Sequence, residues 1–155
     1  MEAAQSGKIE KHVLIRASRA RVWRALTNPA EFSRWFGVEM TGAFQPGSSP
    51  EMVCANEGPA KGVRFHTDVQ ERTEERLLSW RWHPGMPDSA VDYSKEPSTL
   101  VEFRLEDAEG GTLLTVTESG FDRISLSRRA GVLAENTAGW EYQVNSVRNY
   151  VEQAP

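Results

Sequence analysis

The sequence predicts an α+β fold in which a curved antiparallel sheet of about seven strands wraps around one long C-terminal helix. Three observations predict it. The middle of the chain alternates apolar and polar residues with period two, in segments separated by turn residues. The C-terminal stretch instead places Leu126, Ala130, Leu133, Thr137, Trp140, Val144, Val147 and Val151 at spacings of four and three, one continuous helical stripe. Between the first strand and the rest lie the start signals of two short helices.

Each element follows in order. In Ile9–Arg16, Ile9, Lys11, Val13 and Ile15 share one face and Glu10, His12, Leu14 and Arg16 the other, which reads as a strand. Ser18 supplies an N-cap for a helix from Arg19 to Thr27, with Val22, Trp23 and Leu26 on its apolar side. Asn28-Pro29-Ala30-Glu31 starts a second helix: a capping side chain, a proline at the first helical position and a carboxylate at the capping-box position. That helix buries Phe32, Trp35 and Phe36, and Gly37 stops it. From Val38 the period is two, with Val38, Met40, Gly42 and Phe44 on one face before the turn Pro46-Gly47-Ser48-Ser49. Glu51–Ala55, Val63–Gln70 and Arg76–His83 are further strands, and Leu100–Leu105 and Thr112–Glu118 form the last pair. Short connections imply an antiparallel meander. The final helix is about 40 Å long at 1.5 Å per residue. Gly131 and Gly139 each weaken it by ~1 kcal/mol relative to alanine, so either marks a bend or a close approach of backbone or ligand.

Size and charge narrow the function. A chain of 155 residues makes one domain, placed at 9–153 after a flexible segment 1–8, and such a domain buries ~70% of its unfolded surface. The net charge of −4 argues against a nucleic-acid partner, which needs a basic face. No apolar run approaches the ~20 residues that cross a bilayer, so no membrane partner is expected. The polar start lacks the apolar segment of a secretory signal, and Cys54 alone cannot form an internal disulfide. Both point to the cytoplasm.

Catalytic and cofactor motifs are missing. There is no G-x-S-x-G elbow, phosphate-binding glycine loop or G-x-G-x-x-G fingerprint. His12, His66 and His83 lie far apart and carry no metal-ligand spacing. No catalytic residue, metal or cofactor is therefore assigned. Glu74-Glu75 and Glu106-Asp107 fall in turns, and Arg16, Arg19, Arg21 and Arg24 read as a solvated helix face rather than an anion site.

The aromatic residues carry more. Leu78, Trp80 and Trp82 alternate down one strand face, and Val101, Phe103 and Leu105 down another. Leu114, Val116, Phe65 and Val69 extend that face, and the stripe of Trp140, Val144 and Val147 lies opposite. Singly, each residue fills a core; together they border the space that a bent sheet leaves above a straight helix. The candidate ligand-binding set is Trp35, Met40, Phe65, Trp80, Trp82, Phe103, Trp140 and Val144, with Glu118 and Asn136 as polar members. The indole N–H groups of Trp80, Trp82 and Trp140 need partners once buried. The connection Pro84–Pro97 reads either as a lid, with Met86, Val91 and Tyr93 over a cavity mouth, or as a variable surface loop.

Local words add a resemblance. Val22-Trp23-Arg24-Ala25-Leu26-Thr27-Asn28-Pro29 followed by Trp35-Phe36, Glu75-Arg76-Leu77-Leu78-Ser79-Trp80, Thr117-Glu118-Ser119-Gly120-Phe121 and Gly139-Trp140 occur in the order found in the AHSA family. The sequence resembles that family, named for the activator of the HSP-90 ATPase and part of the START-like, or SRPBCC, superfamily. The resemblance implies the helix-grip fold and a binding module for a small hydrophobic ligand: a lipid, polyketide or aromatic metabolite. A cyclase or dehydratase is the alternative, with Glu118 as its acid or base, and a protein-interaction domain the third reading. The chain is expected as monomer or homodimer. A role in stress response comes only with the family name. Chaperone contact is not expected, because in the co-chaperone a separate N-terminal domain makes the main one.

Overall fold

The computed structural model describes residues 7–85 and 91–153. The chain runs β1 (Lys8–Ile15), α1 (Arg19–Thr27), α2 (Pro29–Phe36), β2 (Val38–Thr41), β3 (Glu51–Cys54), β4 (Arg64–His66), β5 (Asp68–Thr73), β6 (Leu77–Trp82), β7 (Thr99–Ala108), β8 (Gly111–Ser119) and α3 (Leu126–Gln153). Residues 1–6 of the segment expected to be flexible at 1–8, and Met86 of the long connection, lie outside the described residues. Lys8 already belongs to β1, and the Gly7 carbonyl accepts the Phe121 N–H at 3.1 Å.

Capping chemistry sets the short helices. Ser18 accepts the Arg21 N–H at 3.1 Å and Asn28 accepts the Glu31 N–H at 3.0 Å, so each helix start has one otherwise orphaned donor satisfied. Gly37 closes α2 at φ 80°, a left-handed conformation that a side chain would resist.

The strands form two antiparallel sheets, β1-β8-β7-β6-β5 and β2-β3-β4, rather than the single sheet expected. The division falls inside the stretch 63–70, read from the sequence as one strand. Thr67 is fully buried there, and its N–H and Oγ1 both donate to the Pro50 carbonyl, at 3.1 and 2.9 Å. That anchor turns the chain out of one sheet and into the other. A period-two pattern persists through such a kink, so alternation alone does not reveal it.

Against the curved face lies α3, which buries Val132, Trp140, Val144, Val147 and Val151. Its first turns depart from the predicted stripe. Leu126 is 78% exposed and Ala130 is exposed too, because this end of the helix lies over the β6–β7 connection, where Arg128 pairs with Glu96. Val132 turns inward instead, against Gly85. Lys11, on the inward face of β1, reaches Glu141 of α3 at 3.0 Å.

The arginines of α1 are paired rather than simply solvated. Arg19 lies 3.6 Å from both Glu75 and Asp107. Arg21, Arg24 and Tyr150 all donate to Glu31 at 2.9 Å, tying α1, α2 and α3 together. Burial pushes the Glu31 carboxyl up, but the hydrogen bonds from Tyr150, Arg21 and Arg24 outweigh it and hold the group below its ordinary value. A carboxylate held low stabilises the fold fully above its unfolded pKa, and that contribution is lost as pH falls through the folded value. Unfolding measured between neutral and strongly acid pH should therefore show a stability loss that E31Q diminishes; an unchanged acid limb in E31Q contradicts the assignment.

Candidate functional site: an aromatic hollow backed by a buried carboxylate

Inward positions alternate along β8 through Leu114, Val116 and Glu118. The last of these puts a carboxylate, 0% exposed, into an apolar core. Its Oε2 accepts the Trp82 indole N–H at 2.8 Å and the Thr99 hydroxyl at 2.6 Å. Its Oε1 accepts the Trp140 indole N–H at 2.7 Å and the Asn136 amide at 2.9 Å. Among the described residues no lysine, arginine or histidine pairs with it. Two donors on each oxygen occupy the lone-pair sites of the carboxyl group, and these hydrogen bonds offset the cost of removing it from water.

One atom group thus fixes four elements relative to each other: the end of β6, the start of β7, the end of β8 and the middle of α3. The Trp82 and Trp140 rings come to 6.1 Å between centroids at 35°. With both indole N–H groups turned to Glu118, the sides of these rings remain as carbon surface.

In front of them lies a hollow of about 300 Å³ between α3 and the small sheet. Phe36 and Val38 form one wall, Cys54 and Phe65 another, and Trp82 and Trp140 the back. From α3, Asn136, Gly139 and Gln143 complete it, with exposed Tyr142 at the rim. Gly139 leaves room: a Cβ there would meet nothing within 4 Å. Gln143 is oriented by its amide, which donates to the Phe36 carbonyl at 3.0 Å. Burial pushes the Cys54 thiol up, so it stays a neutral, apolar lining group. A second hollow, about 150 Å³, shares Phe65, Trp82 and Asn136 and adds Gly85 and Glu135. A third of similar size shares Phe65 and Gly85 and reaches His83 and Tyr93.

Of the residues expected from the sequence, Phe65, Trp82, Asn136 and Trp140 are brought together on this hollow. Trp80, Phe103 and Val144 sit behind it in the core, Trp80 with its ring 5.5 Å from Phe44 and 5.1 Å from Phe103. The Trp80 N–H has no hydrogen-bond partner among the described residues and is enclosed by these rings. Trp35 packs α2 onto α1, donating to the Ala25 carbonyl at 2.7 Å. Met40 is partly buried on β2, away from the lining. Glu118 stands behind the wall, separated from the hollow by its own donors. Sequence reasoning passed over Phe36, Val38, Cys54, Tyr142 and Gln143 as lining residues. Gln143 was findable, since it lies one turn from both Trp140 and Gly139 on the same helix face.

The described part of the long connection is pinned to α3. Arg128 pairs with Glu96, the His83 Nε2 bonds to the Glu96 carbonyl at 3.0 Å, and the Tyr93 ring lies 5.3 Å from His83. Burial holds His83 below its ordinary value.

A curved antiparallel sheet gripping one long helix, with a hollow at their junction, defines a helix-grip domain. Residues 16–152 match the family described as "Activator of Hsp90 ATPase homolog 1-like protein" (AHSA1), and the chain belongs to that family. Among curated proteins the sequence has no match. Solved structures share the fold. Protein MLL2253 from Mesorhizobium loti superposes with a TM-score of 0.75 at 19% identity, over 96% of this chain and 98% of its own. The Aha1 dimer from Colwellia psychrerythraea gives 0.69 at 21% identity, over 94% and 96%. DynU16, a protein of the dynemicin biosynthetic locus, gives 0.72 at 25% identity over 94% of this chain, which spans only 47% of DynU16. No helix among the described residues is long and apolar enough to cross a membrane.

Proposed function

We propose that this domain binds a small hydrophobic molecule, with aromatic ring systems the best fit, in the hollow between α3 and the small sheet. The observation that carries this reading is the Glu118 hub: it holds Trp82 and Trp140 by their N–H groups and leaves their carbon surface facing an open space. A volume of about 300 Å³ lies at the lower end of the range for small-molecule sites. The likeness to a protein from the dynemicin biosynthetic locus supports a polyketide-derived ligand. With Cys54 unpaired, the proposed setting is the reducing cytoplasm.

The cyclase or dehydratase alternative, with Glu118 as its acid or base, is not favoured. Glu118 has its lone-pair sites occupied by four donors, three of which form the wall between it and the hollow. Its proposed role is to position Trp82, Asn136 and Trp140. A protein-contact role is not favoured either: among the described residues the exposed large apolar groups are Leu14 on β1 and Leu126 and Tyr142 on separate turns of α3.

The test is a titration of the purified protein with a panel of naphthalene derivatives, polycyclic aromatics and long-chain acyl compounds, read by tryptophan emission and thermal unfolding. A fitting ligand should change emission saturably and stabilise the fold by about 2.7 kcal/mol at one hundred times its Kd. If no member of the panel changes either signal, the hollow is not a ligand site.

A further inference from the structure

The geometry points to Asn136 as the residue that selects the ligand: its Oδ1 accepts a hydrogen bond, so the preferred ligand is a hydrophobic aromatic molecule that carries a hydroxyl or N–H donor. This rests on the binding reading above and adds to it a chemical requirement.

The argument starts from Glu118. Its Oε1 accepts a hydrogen bond from the Asn136 amide nitrogen at 2.9 Å, so the nitrogen end of that side chain faces the carboxylate. That contact removes the usual freedom of an asparagine amide to flip. With nitrogen turned inward, Oδ1 is turned away from the carboxylate. It has no hydrogen-bond partner among the described residues, and it is not among the enclosed polar atoms. Asn136 borders both the first and the second hollow, which also share Phe65 and Trp82.

The other polar groups nearby are differently disposed. The Trp82 and Trp140 N–H groups are held by Glu118. The Gln143 nitrogen is held by the Phe36 carbonyl, and its oxygen is enclosed. Against apolar walls, a fixed acceptor discriminates by donor: a ligand O–H or N–H pairs with it, while an ether or carbonyl oxygen meets it lone pair to lone pair. The carboxylate hub therefore acts on the ligand at one remove, by fixing which end of an amide the hollow presents.

The test compares two probes of one shape, 1-naphthol and 1-methoxynaphthalene, on wild type and on N136L. The methoxy compound is the more hydrophobic, so binding driven by burial alone favours it. Wild type should prefer 1-naphthol by about fivefold, as expected for one net hydrogen bond. In N136L that preference should vanish or reverse, whatever the change in the affinity for 1-methoxynaphthalene itself. An equal naphthol-to-methoxynaphthalene ratio in the two proteins overturns the inference and leaves the hollow as a binding site. Binding of neither probe to wild type overturns both. Should N136L fail to fold, the side-chain amide resonances of Asn136 in wild type decide: 1-naphthol should shift them more than 1-methoxynaphthalene does, and equal shifts refute the assignment.

Discussion

Replacing Glu118 with leucine should destabilise the protein by about 3–5 kcal/mol, although leucine fills nearly the same volume. The reason is that the substitution removes one acceptor and leaves four donors. The indole N–H groups of Trp82 and Trp140 and the Thr99 hydroxyl lose their partner in the buried core, and the half-buried Asn136 amide loses its own. Thr99 can turn its hydroxyl toward the Trp82 carbonyl, 3.5 Å away, but an indole N–H has no such freedom. Each stranded donor costs about 1–3 kcal/mol, partly offset because the carboxylate no longer has to be kept from water. For a domain of this size the midpoint of thermal unfolding should fall by roughly 10 °C. E118Q should fall between wild type and E118L, since it keeps one acceptor but points an N–H₂ group at another donor. Circular dichroism in urea and on heating measures all three; an E118L protein within about 1 kcal/mol of wild type would contradict the role of the hub.

The second large effect has the opposite sign for stability and for binding. G139L should stabilise α3 by about 0.5–1 kcal/mol, because a helix-interior glycine is replaced by a strong helix former. The new side chain's Cβ is accommodated, since no heavy atom lies within 4 Å of that position. It projects into the hollow bordered by Phe65, Trp82 and Trp140, and so should weaken binding of any ligand there by more than tenfold. G131A is the control. It also has open space at its Cβ, lies outside the lining, and should gain similar stability with binding unchanged. Loss of binding in a more stable protein cannot be blamed on unfolding. Undiminished binding in G139L would remove the hollow as the ligand site.

Most of the fold was legible because its signals are local. Ser18, Asn28-Pro29 and Gly37 mark helix ends by capping chemistry, and α1 begins and ends where they place it. The kink at Thr67 was not legible, since it depends on a carbonyl seventeen residues away, and alternation continues through it. The exposed Leu126 has the same kind of cause: helical spacing says which residues share a face, but not where the sheet beneath that face stops.

The site was half legible. Tryptophans at period two on β6 and a Gly-Trp pair on α3 announced an aromatic interior, and Glu118 drew notice as an isolated carboxylate at a strand end. What alternation could not tell is which of Trp80 and Trp82 would face the hollow. Both are inward on one strand, but only Trp82 lies at the end where β6 meets Glu118 and α3. The lining from α2, β2 and β3 depends on how the small sheet is set against α3, and sequence pattern does not encode that angle.

The central claim is that Trp82 and Trp140 form the back wall of a ligand site while Glu118 holds their N–H groups. The direct measurement is the set of indole ¹H–¹⁵N resonances during titration with 1-methoxynaphthalene. The account predicts saturable shifts for Trp82 and Trp140, with Trp23 and Trp35, whose N–H groups bond to Glu74 and the Ala25 carbonyl, nearly still. Shifts confined to Trp23 or Trp35, or none at any indole while the probe demonstrably binds, would contradict it.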